Sequence, residues 1–211
     1  MFGFCYIASV HPCQDQVHCN FELLSFTNTN TISSVSVQQT NFNIYLIGPM
    51  GVGKTTVGSR LAKLIGYEFL DTDNELERRT GVTISHIFEL EGEEGFRLRE
   101  TRLLEEIAKR NNYVIATGGG SVLSDLNQKT IKQSGQVIYL TASLEFLWER
   151  VRYSKKRPLL NTQDPYTRLK QILKQREPIY DCVADHIIQI SSTSEKTANT
   201  IAELLNIQVN S

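Results

Sequence analysis

Five short apolar runs alternate with longer stretches in which apolar residues recur every three or four positions. The runs are Phe42–Ile47, Tyr67–Asp71, Tyr113–Thr117, Gln136–Leu140 and His186–Ile190. Their length and β-branched content predict strands. The stretches between them predict helices. After Gly53, the residues Val57, Leu61, Leu64 and Ile65 share one helical face. Asp73–Arg79 reads as a helix that Thr72 or Asp73 caps and Thr80-Gly81 ends. A further helix opens at Thr83-Ile84, carries Ile84, Ile87, Phe88 and Leu90, and is interrupted at Gly92 and Gly95. Phe96–Arg110 is strongly helical, with Phe96, Leu103, Leu104 and Ile107 available for burial. Ser121 is a candidate cap for the next helix, and Ser143 for one running through Arg150. Asp164–Asp181 is helical with an interruption at Pro178, and Lys196–Leu205 closes the chain.

This alternation predicts an α/β fold with a parallel sheet of about five strands and helices on both faces. In such sheets ligands sit outside the carboxyl ends of the strands. Three strand ends here are polar or rich in glycine. They are Gly48–Gly53, the pair Asp71 and Asp73, and Gly118–Gly120.

Composition narrows the picture. The chain has 211 residues, enough for one such domain, and a formal net charge of -1. That balance gives no bulk electrostatic case for nucleic acid or an anionic membrane. No apolar run approaches the about 20 residues of a membrane span. Residues 1–40 contain no Lys or Arg, and all 22 basic residues follow them. This segment lacks the basic start of a secretory signal and the arginines of a transit peptide. Its His11, Cys13, His18 and Cys19 follow no standard zinc spacing. We expect a flexible polar arm, or a start codon assigned too far upstream, ahead of a single domain over residues 41–211. Of the four cysteines, only Cys182 falls in that domain, so a reducing cytoplasm is expected.

The first glycine-rich end carries chemistry of its own. Gly48-Pro49-Met50-Gly51-Val52-Gly53-Lys54-Thr55 matches G-x-x-x-x-G-K-[ST] between a strand and a helix. Glycines let backbone N–H groups approach phosphates, and the helix start adds its positive end. Lys54 would reach the β- and γ-phosphates, and the Thr55 hydroxyl would take a Mg²⁺ position. The stretch Gly51, Val52, Gly53, Lys54, Thr55 and Thr56 is thus expected to hold a nucleoside triphosphate.

Taken together, several blocks resemble the shikimate kinase family. They are Gly48–Thr56, Asp71-Thr72-Asp73, Arg79-Thr80-Gly81, Ile87-Phe88 followed by Gly92–Arg97, Ala116–Ser121 and Arg157-Pro158-Leu159-Leu160. They lie in the family's order, and the resemblance covers about residues 42–205. It implies a P-loop NTPase-type three-layer fold with a mobile lid. It implies transfer of the ATP γ-phosphoryl group to the 3-hydroxyl of shikimate, by a monomer with no nucleic-acid or membrane partner.

The resemblance also implies roles. Arg97 and Arg176 would bind the shikimate carboxylate, with Glu100 orienting Arg97. Asp73 would accept the substrate hydroxyl's hydrogen bond, with or without its proton. Asp71 would hold Mg²⁺ through water. Gly118, Gly119 and Gly120 would bring backbone N–H groups to the substrate and leave room for its ring. Arg157, in the lid, would reach the transferring phosphoryl group, and Arg150 would stack on adenine. Lys54, Asp73 and Arg157 are therefore the catalytic candidates. Arg152, Lys155 and Lys156 read as a solvated loop, Trp148 and Cys182 as packing residues, and His86 and His186 as carrying no chemistry. Two other readings stay open at this point: a P-loop kinase for another polyol acid such as gluconate, and a silent nucleotide-binding module.

Overall fold

The computed structural model describes residues 42–153, 158–160, 162–191 and 193–207. The N-terminal arm and Arg157, with most of the basic stretch read as a lid, lie outside the described residues.

The sheet has five parallel strands: β1 (Asn43–Ile47), β2 (Glu68–Asp71), β3 (Tyr113–Ala116), β4 (Gly135–Thr141) and β5 (His186–Gln189). Their spatial order is β2-β3-β1-β4-β5. The helices are α1 (Lys54–Ile65), α2 (Thr72–Thr80), α3 (Ile84–Ile107), α4 (Asp125–Ser134), α5 (Leu144–Val151), α6 (Pro165–Val183) and α7 (Ser194–Leu204). Among the described residues no helix is long and apolar enough to cross a membrane.

β1 is buried along its whole length because it lies at the centre of the sheet with helices on both faces. Strand alternation divides its side chains. Ile44 and Leu46 join the core beneath α1 and α7, while Tyr45 and Ile47 join the one beneath α3 and α4. Asn43 is also fully buried, and its side chain meets both of its needs. It donates to the Arg110 carbonyl at 2.7 Å and accepts from the Tyr113 N–H at 3.1 Å. It thus stitches the end of α3 to the start of β3.

Strand order places the site. From β1 the chain leaves through α1 toward β2, and from β3 it leaves toward β4 on the other side. Neighbouring strands whose connections part in this way leave a crevice at their carboxyl ends. The phosphate-type loop follows β1 and the triple glycine follows β3, so the two flank that crevice. β2 pairs with β3 in a register that sets Asp71 opposite Ala116, which brings the acidic end alongside.

Four local expectations change. Asp71, not Thr72 or Asp73, caps α2; its Oδ1 accepts from the N–H groups of Asp73 and Asn74 at 3.1 and 3.2 Å. The helix begins one residue earlier than its polar spacing suggests. Ser121 opens a short 3₁₀ turn, and Ser124 is the cap of α4. α6 runs through Pro178 unbroken, because the buried Arg176, Tyr180 and Val183 hold its last turns against the molecule. The interruption expected in α3 at Gly92 and Gly95 falls at Gly92 alone: two helical segments meet there across a non-helical residue (φ 71°, ψ -175°), a conformation open to glycine alone, and the second runs through Gly95.

Candidate active site

The loop from Gly48 to Gly53 turns through three positive-φ glycines: Gly48, Gly51 and Gly53. At Gly48 a Cβ would run into the Leu140 carbonyl, so a side chain there is excluded by β4 as well as by the turn. Lys54 opens α1 and is buried, its ammonium donating to the carbonyls of Gly48 and Pro49 at 2.7 and 2.9 Å. Arg150, from the last turn of α5, donates to the Gly51 carbonyl at 3.3 Å and lies 4.9 Å above the Phe146 ring. It closes one flank of the loop.

The acidic end meets the loop directly. The Thr55 hydroxyl donates to Asp71 Oδ2 at 2.6 Å, while Asp71 Oδ1 caps α2. The buried Thr72 hydroxyl accepts the Gly118 N–H at 3.0 Å. Two consecutive residues, Asp71 and Thr72, therefore tie all three strand ends together.

Arg97 stands on α3 past the Gly92 bend, with Nη1 on Glu100 at 2.8 Å and Nη2 on Glu93 at 2.9 Å. Its Cζ lies 5.1 Å from the centre of the Phe96 ring. Burial disfavours the Arg97 charge, but the carboxylates of Glu100 and Glu93 outweigh it and hold its pKa above the ordinary value. Glu100 is fully buried and also accepts from the Ser121 hydroxyl. On α6, Arg176 is buried and donates through Nη1 to the Gly119 carbonyl at 3.0 Å.

These groups line a single cavity of about 570 Å³. It takes in Gly51, Gly53, Lys54, Thr55, Thr56, Asp71, Asp73, Arg97, Gly118, Gly119, Gly120, Arg150 and Arg176. Val52 is not among the lining residues; its side chain is packed in the core. Sequence reading missed several further walls: Asn74, Glu77, Thr83, Ser85, Phe88 and Phe96. Phe88 and Phe96 meet with ring centres 4.9 Å apart, a contact that depends on the bend at Gly92 between them.

Of the three glycines expected to bring N–H groups to the substrate, Gly118 departs from that role. The Gly118 N–H is taken by Thr72, so it is not available to a ligand. A Cβ at Gly118 would lie 2.5 Å from Glu100 Oε1 and 3.0 Å from Asp73 Oδ1, and one at Gly120 would collide with the Arg97 guanidinium. These two glycines make room for the site's own charged side chains. A Cβ at Gly119 would meet only ordinary contacts.

An open parallel sheet with a G-x-x-x-x-G-K-[ST] loop at its switch point, facing acids and buried arginines across one cavity, defines a P-loop kinase of small molecules. Comparison with known proteins narrows the class. The family model described as shikimate kinase matches residues 50–206. The shikimate kinase of Acinetobacter baylyi is 50% identical over 161 residues, 76% of this chain and 88% of that protein. That of Nitrosospira multiformis is 48% identical over 166 residues, 78% of this chain and 85% of that one. Among solved structures, the shikimate kinase of Acinetobacter baumannii in complex with shikimate superposes with a TM-score of 0.78 at 47% identity, covering 80% of this chain and 94% of that one. The chain belongs to the shikimate kinase family.

Proposed function

We propose that this protein transfers the γ-phosphoryl group of ATP to the 3-hydroxyl of shikimate, giving shikimate 3-phosphate and ADP. The observation that carries this reading is the shared cavity, in which Lys54, Asp73, Arg97 and Arg176 all take part. A triphosphate seated in the Gly51–Thr56 loop has its terminal phosphate within the same enclosure as an acceptor held by the two arginines. Positioning of this kind supplies most of the catalysis in phosphoryl transfer.

Shikimate carries one carboxylate and three hydroxyls. Guanidinium groups match a carboxylate in shape as well as charge, and Arg97 and Arg176 take that role. Glu100 and Glu93 hold Arg97 from behind, so its orientation precedes binding. Asp73 accepts the hydrogen bond of the attacking hydroxyl. Lys54 neutralises charge on the transferring group, and Arg157 is assigned the same task by the family resemblance.

Mg²⁺ fits the donors at hand. Thr55 Oγ1 and Asp71 Oδ2 are hard oxygen ligands 2.6 Å apart beside the loop, the kind of set that Mg²⁺ takes together with phosphates and water. Bound there, it would offset phosphate charge. The reading also includes a monomer working in the cytoplasm.

The test is product identification. Incubation with ATP, Mg²⁺ and shikimate, followed by phosphorus and proton NMR, gives one phosphomonoester at the 3-position under this reading. A phosphate on another hydroxyl, or no ester at all, rejects the proposed geometry.

A further inference from the structure

We propose that Tyr180 is a positioning residue for the acceptor's carboxylate, fixing through the Gly119 carbonyl the place where Arg176 presents its guanidinium. This rests on the reading of Arg176 as a carboxylate anchor.

Tyr180 is 1% exposed, and its hydroxyl donates to the Gly119 carbonyl. Arg176 Nη1 donates to the same oxygen at 3.0 Å. A carbonyl oxygen has two lone pairs, so both donors can be accepted at once. The two side chains stand four residues apart on α6, one turn above the other on the same face. One backbone oxygen thus gathers both.

Packing fixes the Tyr180 end of this clasp. The Tyr180 ring stacks on Tyr139 of β4, with centres 4.9 Å apart and planes 28° from parallel. The Gly119 peptide runs beside the phosphate loop, where a Cβ would meet Met50 N and the Gly48 carbonyl oxygen at ordinary contact distances. Its carbonyl is held by the two donors, Tyr180 and Arg176.

Arg176 needs such a support. It is 8% exposed, and among the described residues no carboxylate pairs with it. Arg97, by contrast, is aimed by two glutamates. A buried guanidinium held, among the described residues, by neutral groups keeps its charge for an anion entering the cavity that it lines. Tyr180 shares the aiming task without adding a competing negative charge. Burial pushes the Tyr180 phenol up to about 12, so it remains a donor across ordinary assay conditions.

Tyr180→Phe removes the hydroxyl and keeps the ring stack. The constants for shikimate and for ATP are measured by ADP release in Tyr180→Phe, Arg176→Lys and the double variant, with melting temperatures alongside. The loss of one hydrogen bond raises the shikimate KM about five- to tenfold, with kcat and the ATP KM within about twofold of the parent. In the Arg176→Lys background, Tyr180→Phe adds little further, because both act through one contact. An unchanged shikimate KM in Tyr180→Phe overturns the proposal. So does a parallel rise in the ATP KM, which marks a general loosening, or a double variant whose penalties multiply. Should Arg176→Lys itself leave the shikimate KM unmoved, the carboxylate reading falls, and the proposal falls with it.

Discussion

Thr55 and Asp71 join the start of α1 to the start of α2 through one hydrogen bond of 2.6 Å. The same Asp71 carboxylate caps α2, the helix that carries Asp73. Asp71→Ala is expected to destabilise the protein by about 1 kcal/mol through the lost cap. It should also raise the Mg²⁺ concentration needed for half-maximal rate. Urea unfolding and a Mg²⁺ titration read the two effects separately, and an unmoved Mg²⁺ curve would remove Asp71 from the metal site.

Lys54→Ala should lower turnover by at least about a hundredfold, since charge neutralisation at the transferring group contributes most in the transition state. The ammonium is buried over loop carbonyls rather than packed as a core apolar group, so the melting temperature should move little. Steady-state kinetics with a thermal melt checks both. Activity within about tenfold of the parent would mean that the loop does not hold the reacting phosphate.

Gly120→Ala should act at a distance from its own atoms. The added methyl displaces the Arg97 guanidinium, which sits against that glycine. The shikimate KM is expected to rise about tenfold or more, in the range of one charged hydrogen bond, while the ATP KM stays near its parent value. Gly119→Ala, which meets only ordinary contacts, should be the milder of the two.

A surface network gives the fold a pH dependence of known sign. Arg79 of α2 grips Glu106 of α3 through both oxygens, at 2.5 and 2.9 Å, and Glu75 at 2.7 Å. Hydrogen bonds from Arg78 and Arg79 hold Glu75 at about 2, and those from Arg79 and Arg110 hold Glu106 at about 2, against an ordinary 4.5. Their folded-state pKa values are depressed, so the stabilisation is complete above about pH 4.5 and is lost as pH falls toward 2. Arg79→Gln should lower the urea midpoint at pH 7. The gap from the parent should shrink on acidification and, because the groups are near the surface, in 1 M salt. A gap constant with pH would show that Arg79 works by packing alone.

Much of this was legible in the chain. The five strands sit within a residue or so of the apolar runs, because the central strands β1, β3 and β4 leave near-continuous apolar segments and the edge strands β2 and β5 keep an apolar pair between polar ends. The phosphate loop was legible because its function demands particular residues at fixed spacing. The remainder depends on contacts between distant segments. Asp71, Thr72 and Asp73 are all plausible caps by composition, and only the fold gives Asp71 the cap and Thr72 the Gly118 N–H. The need for glycine at Gly118 and Gly120 comes from Glu100, Asp73 and Arg97, which no local rule brings there. Nothing in the sequence marked Tyr180, since the role proposed for it lies in a hydroxyl reaching a carbonyl 61 residues away in sequence.

The most direct measurement is ADP release with a panel of acceptors at fixed ATP and Mg²⁺. The account predicts turnover with shikimate and negligible turnover with gluconate, because it assigns Arg97 and Arg176, which line one cavity, to a carboxylate on a compact ring. Turnover with gluconate and none with shikimate would contradict it, and so would ATP binding with no ADP release dependent on any acceptor.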